Sequence, residues 1–255
     1  MLDHPWIDRF ASLDSPIHRF DPRAKAITFL FLIFSIVLLS AVKLALVGLL
    51  TSIFFLALSR LPLRFALRHI KWVSLFIIPF FIVMPFTVEG SEIYGVHGLK
   101  VTYEGVEYGA LIALRALSAV ILVLPMIATT RFEEMMKALE RLRVPSIMVQ
   151  MLIFTYHYIF VFGEEWERMW RAIESRGFRL RTTLYALRTL GRAMGMLFVK
   201  SYERSERVYY AMRSRGYTGH QRTLAEFNLK RSDLVLSALI ISIGVILHII
   251  QMEVM

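Results

Sequence analysis

E-R-M-W-R-A-I-E-S-R-G-F, Glu167 to Phe178, and E-R-V-Y-Y-A-M-R-S-R-G-Y, Glu206 to Tyr217, are one pattern written twice. A shift of 39 residues lays Glu167 on Glu206, Arg168 on Arg207, Trp170 on Tyr209 and Ala172 on Ala211. The same shift lays Ser175-Arg176-Gly177 on Ser214-Arg215-Gly216 and Phe178 on Tyr217. At helical spacing Met169, Ile173 and Arg176 share one face, as do Val208, Met212 and Arg215. Each face therefore runs apolar, apolar, arginine, and then meets a glycine. Glycine just past the last helical residue adopts the left-handed conformation that closes the open carbonyls. The arginine then projects from the last turn, where the helix dipole favours a cation. Ala172 with Ser175, and Ala211 with Ser214, set small side chains three apart, which would let two such helices cross closely. A single Arg-Gly reads as a helix stop with a solvated charge. Two copies with matching flanks read as two plugs for two matching sockets, each a groove with a carboxylate.

Working outward, the composition places this pattern in a membrane protein. Hydrophobic residues make up 56% of the 255, and the mean hydropathy is +0.56. Of the +10 net charge, nearly all lies in residues 131–232, which hold 19 of the 30 Lys+Arg against 10 of the 20 Asp+Glu. A basic block between apolar spans follows positive-inside bias, and no nucleic-acid partner is expected. The absence of cysteine excludes disulfides and thiol chemistry. Met1 to Pro22 is polar and acidic, and no cleavable signal peptide is expected there.

The fold expected is an all-α membrane protein with about five transmembrane helices. In chain order these are Ala26–Val42, Leu44–Leu58, Trp72–Val88, Gly109–Ala128 and Leu234–Ile250. Asp21-Pro22 reads as a helix start, aspartate capping and proline in the first turn, with Arg23 and Lys25 marking a cytoplasmic edge. Glu89 to Tyr108 holds four glutamates and four glycines, and predicts a small external hairpin. Arg115 in the fourth span is expected to snorkel toward the outer end. Thr130-x-x-Glu133 opens an amphipathic surface helix stopped by Pro145. Ser146–Phe162 and Leu184–Val199 read as long helices packed against the bundle from the cytoplasmic side, since a crossing by both would part the two repeats. Asp233 caps the last span. Three segments result: 1–128 with four spans, 129–232 as a cytoplasmic block of amphipathic coupling helices, and 233–255.

Enzyme chemistry finds little purchase. His157 lies seven and eight residues before Glu164 and Glu165, roughly one helix face, but reads better as a hydrogen-bonded packing residue. No HExxH, GxSxG or phosphate-cradling glycine loop occurs, and the seven histidines are scattered without ligand spacing. No catalytic residue, metal site or cofactor is expected. A membrane scaffold whose basic block binds anionic lipid would explain the charge and leave the repeat idle. A transporter subunit driven by separate ATPases uses both.

At the two Ser-Arg-Gly tripeptides the sequence resembles the transmembrane T component of energy-coupling factor (ECF) transporters, which carries two short x-Arg-Gly signatures near the ends of coupling helices. The lead I7-D-R-F-A to S15-P-I-H-R-F-D-P-R-A-K, with Asp21, Pro22, Arg23 and Lys25, is similar to the CbiQ branch, the T component of cobalt transporters. The resemblance extends to Leu139-x-x-Leu142-x-x-Pro145. It implies an assembly with two ATP-binding-cassette ATPases and a small membrane substrate-binding subunit in the plasma membrane, with the N-terminus and 129–232 cytoplasmic. Arg176 and Arg215 would each enter one ATPase, supported by the face of Met169, Ala172, Ile173, Val208, Ala211 and Met212. The substrate subunit would hold the metal ion, cobalt on this resemblance, with nickel or a vitamin as alternatives.

Overall fold

The computed structural model describes residues 10–88, 90–96, 99–218 and 230–254. Ile7, Glu89, Gly98 and the segment 219–229 lie outside the described residues. By packing the chain divides into two compact units, Met1–Ala138 with Glu226–Met255, and Leu139–Ala225.

In the first unit, α1 (Pro22–Val37) starts as its sequence dictates. Asp21 accepts from the Arg23 backbone N–H at 2.9 Å, and Pro22 needs no partner for a missing N–H. Then come α2 (Val42–Leu58), α3 (Leu63–Thr87), α4 (Tyr103–Ala128), α5 (Phe132–Arg141), which continues into the second unit, and α8 (Arg231–Val254). Helix α4 packs against α1, α2 and α3, and α1 also packs against α8. Phe29, Leu32, Ile36, Leu122 and Ile240 are fully or almost fully buried where these helices meet. The α1–α8 crossing is close because Gly244 has no side chain: a Cβ there would come within 2.9 Å of Phe31, and Ser35 bonds the Gly244 carbonyl at 3.1 Å.

Between α3 and α4 the strands β1 (Glu92–Val96) and β2 (Leu99–Thr102) pair antiparallel, Val96 opposite Leu99, as the glycine-rich segment predicts. Thr102 Oγ1 then donates to the Val88 carbonyl at 2.7 Å and the Pro85 carbonyl at 3.2 Å, groups that the end of α3 leaves open.

Helix lengths refine the expected spans. Helices α1 and α2 have 16 and 17 residues, roughly 24 and 26 Å, against a bilayer core of about 30 Å. Among the described residues, four helices are long and apolar enough to cross a membrane: α3, α4, α8 and α6 (Ser146–Glu174). The last joins Ser146–Phe162, read above as a long helix packed against the bundle from the cytoplasmic side, to the first repeat in one uninterrupted helix of 29 residues. Length and apolarity are the same for a helix that crosses lipid and one that docks a membrane partner. Helix α3 likewise begins at Leu63, nine residues before the apolar run. Arg115 does not simply snorkel to water. Its guanidinium donates to the Leu39 carbonyl just past the end of α1, while its Nε is buried with no hydrogen-bond partner among the described residues. Asp233 sits within the first turn of α8 and accepts from the Lys230 backbone N–H at 3.0 Å, one half of a capping box.

The second unit contains α6, α7 (Leu184–Ser214, with Thr183 capping the Ala186 N–H at 3.3 Å) and the turns that end them.

Candidate functional site

Both repeats end their helices in the same set of backbone bonds. At the end of α6, Gly177 N–H donates to the Glu174 carbonyl and Phe178 N–H reaches back five residues to Ile173. At the end of α7, Gly216 N–H donates to Arg213 and Tyr217 N–H to Met212. Each acceptor in the second set lies 39 residues after its counterpart. Gly177 and Gly216 carry φ of +83° and +82°, so both ends are Schellman caps with glycine in the left-handed position. An added Cβ would meet nothing at either glycine, so the backbone angle alone demands the residue. Ser175 and Ser214 each bond the carbonyl three residues back, Ala172 and Ala211, at 3.0 Å.

The cap holds Arg176 and Arg215 one residue before the chain turns. Both are exposed, and neither guanidinium has a hydrogen-bond or ion-pair partner among the described residues. Such a group is solvated in the isolated chain and available to a planar, two-oxygen acceptor. Their flanks differ. Trp170 Nε1–H donates to Glu174 at 2.8 Å and meets Phe178 edge-on, whereas Arg213 lies over Tyr209 at 5.8 Å.

Helices α6 and α7 run antiparallel. Tyr217 bonds Gln150, Arg204 lies 5.7 Å over Tyr158, and Lys200 bonds Glu165 at 2.5 Å, so partner numbers fall along α7 as they rise along α6. Antiparallel order puts the Arg215 tip beside the start of α6 and the Arg176 tip at its far end, about 40 Å apart at 1.5 Å per residue. Ala172, Ser175, Ala211 and Ser214 stay exposed and are not brought together, contrary to the close crossing their spacing suggested. The two helices instead meet through Glu165, which also bonds Arg168 at 2.7 Å, and open into a groove. This cavity of about 660 Å³ is lined by Tyr158, Phe162, Phe198, Tyr202, Val208 and Met212 among others. Here the repeat breaks its symmetry: Val208 and Met212 line the groove, while their counterparts Met169 and Ile173 do not. The groove and the Glu165 hub went unread in the sequence; aromatic residues at three- to four-residue intervals in 154–162 and 198–202 were the available signal.

The N-terminal motif has a different character. Asp21 pairs with Arg23 at 3.1 Å; burial alone would raise its pKa, but the Arg23 side chain and the Arg23 and Ala24 amides outweigh it and hold the carboxyl low. His18 Nε2–H donates to the Phe10 carbonyl at 2.8 Å and its Nδ1 meets the Ser15 hydroxyl at 2.7 Å; burial lowers its pKa. Lys25 does more than mark an edge, because it is 0% exposed. Its Nζ donates to Thr130 Oγ1 at 2.7 Å, Thr129 Oγ1 at 3.0 Å and more weakly to the Thr129 carbonyl at 3.4 Å. Burial lowers its pKa to about 8, against the opposing pull of Glu134 and Asp21. The motif thus ties the start of α1 to the junction between α4 and α5.

His157 is exposed on α6, with Nδ1 bonded to the Ile153 carbonyl at 2.8 Å. No group of three His, Cys, Asp or Glu side chains able to hold a metal ion occurs among the described residues.

Residues 14–224 match the family of CbiQ, cobalt transport protein. Among relatives, the energy-coupling factor transporter transmembrane protein EcfT of Bacillus subtilis is 29% identical over 86% of this chain and 87% of its own. The protein of that name from Thermosediminibacter oceani is 27% identical over 92% of each chain. An uncharacterized protein of Methanocaldococcus jannaschii is 28% identical over 69% of this chain and 63% of its own length. The chain belongs to the CbiQ cobalt transport protein family.

Proposed function

We propose that this member of the CbiQ family is the transmembrane coupling subunit of an ECF-type importer, and that its two Ser-Arg-Gly helix ends receive the stroke of two ATP-binding-cassette ATPases. One observation carries the reading: two helix ends closed by the same bonds each present an exposed, unpartnered arginine. A solvated guanidinium on a rigid cap loses little conformational freedom when it enters a carboxylate-lined groove. Two such tips about 40 Å apart suit two equal partners rather than one. With no nucleotide-binding motif in the sequence, ATP hydrolysis belongs to those partners, and this subunit is not an enzyme.

The tips and the N-terminus face the cytoplasm of a plasma-membrane protein, in keeping with the positive charge of residues 131–232. When the ATPases close on ATP, the tips are displaced relative to each other, and α6 and α7 pivot where Glu165 joins Lys200. The groove beside that joint, apolar with polar groups at its margin, takes the small membrane subunit that binds substrate. The family's description supports cobalt as the cargo, with the ion held by that subunit; nickel or a vitamin would use the same device.

The test is co-purification with the ATPases. Arg176→Glu with Arg215→Glu is expected to abolish docking while the chain remains folded in the membrane. Docking retained by the folded double variant would refute the reading.

A further inference from the structure

We infer that the first unit carries a binding site for the phosphate of an anionic phospholipid, built by Arg60, Lys230, Arg19 and the start of α8. Residues just before α1, just after α2 and at the start of α8 surround a cavity of about 530 Å³. The apolar run of α2 ends at Leu58 and that of α8 begins at Leu234, so the cavity lies where hydrocarbon gives way to headgroups. Its lining is mixed: the apolar Pro16 and Leu236 occur with the cationic Arg19, Arg60 and Lys230 and with Asp14, Ser15, Ser232 and Asp233. A free phosphate has no use for the apolar part, whereas a lipid phosphodiester has a glycerol and acyl root to lay there.

Three cations line the cavity against two carboxylates. Asp14 is bonded to Arg19 twice, at 2.8 and 2.6 Å, and also lies within electrostatic reach of Arg60. Buried Asp233 is committed to the Lys230 backbone N–H. The Arg60 guanidinium and the Lys230 ammonium have no hydrogen-bond or ion-pair partner among the described residues. Arg60 is moreover held at φ +54°, at the end of α2, where glycine or asparagine would sit at lower cost. A non-glycine residue held at such an angle points to a use for its side chain. The first amides of α8 add a partial positive charge beside Ser232.

The test is native mass spectrometry of the full chain in detergent, offered phosphatidylglycerol and phosphatidylcholine in equal amounts. Wild type is expected to retain phosphatidylglycerol selectively. Arg60→Gly and Lys230→Gln should each weaken retention about fivefold, and together roughly thirtyfold, from a cation near a membrane phosphate being worth a fixed increment. Arg64→Gln with Arg68→Gln removes two cations near the start of α3 that do not line the cavity, and should leave retention unchanged. Arg60→Gly relaxes the left-handed turn, so it should melt no lower than wild type without lipid; lost retention in that variant is a lost site, not a lost fold. Inorganic phosphate at millimolar concentration should not displace the lipid. Undiminished retention in Arg60→Gly, or equal loss in the α3 control, overturns the site. Displacement by inorganic phosphate overturns the lipid assignment in favour of a small-anion site.

Discussion

Two cationic sites, one in each unit, are built in opposite ways. In the first, Lys25 is entirely covered and spends its donors on Thr129 and Thr130. In the second, Arg176 and Arg215 stand exposed with their donors unspent. A buried ammonium costs solvation and is repaid only by fixed geometry, so it belongs where the chain must not move. An exposed guanidinium costs nothing in the isolated chain and becomes valuable when a partner desolvates it. Apolar groups do not follow that division: Leu32, Ile36 and Leu122 are sealed in the first unit, but Phe34, Trp72 and Phe76 of the same unit stand as open as Tyr202 and Phe198 along the α6–α7 groove. The Lys25 site is complete within the chain, and the two tips leave their donors free for the docking proposed above.

The largest effect that would break this contrast is a charge reversal at the tips. On the proposed function, Arg176→Glu with Arg215→Glu should lower ATPase affinity by more than a hundredfold, a charge hot spot being worth about 2 kcal/mol or more at each tip. Melting of the purified chain should not change, and a lowered Tm would mean that the arginines serve the fold.

Lys25→Met comes next, and its sign is informative. Unfolded chains hold the lysine proton up to about 10.5, while the folded chain releases it near 8. Between those values unfolding takes up a proton, so the contribution of this group to stability grows as pH rises. Below pH 8 the buried charge costs up to about 3 kcal/mol by that shift, a burden methionine of similar length does not carry. Thr129 still donates to Pro125 at 2.6 Å in the variant. Lys25→Met should therefore melt at or above wild type at pH 7, with the gap closing toward pH 10.5. A gap that ignores pH would show that Lys25 acts by packing alone.

Smaller changes sharpen the comparison within the tips. Arg215→Lys or Arg176→Lys keeps the charge and loses the planar fork, and each should weaken docking about tenfold in a binding titration. Gly177→Ala and Gly216→Ala should each cost about 1 kcal/mol in the last turn, read by faster amide exchange at Phe178 or Tyr217. Equal exchange in the alanine variants would mean the left-handed cap is not what fixes the arginine.

The tips were legible in the sequence because caps are local: Ile173 to Phe178 contains every group that closes the turn. The start of α1 was legible for the same reason. What could not be read depends on groups far apart in the chain. Lys25 looked like an edge marker because Thr129 and Thr130 lie more than a hundred residues on. Ala172 and Ser175 suggested a close crossing, but helix approach is decided by all the side chains in between, and Glu165 with Lys200 set it elsewhere. The run from Ser146 was long enough to cross a membrane and polar enough to lie beside it. Periodicity alone does not separate those cases.

On the proposed function, each arginine tip engages its own ATPase. Because the chain has no cysteine, Ser175→Cys and Ser214→Cys can be crosslinked to the ATPases without background. Each single variant should capture one ATPase, and the double variant should capture two on one chain. A double variant that still captures only one, or a tip that captures none in an assembled complex, would contradict it.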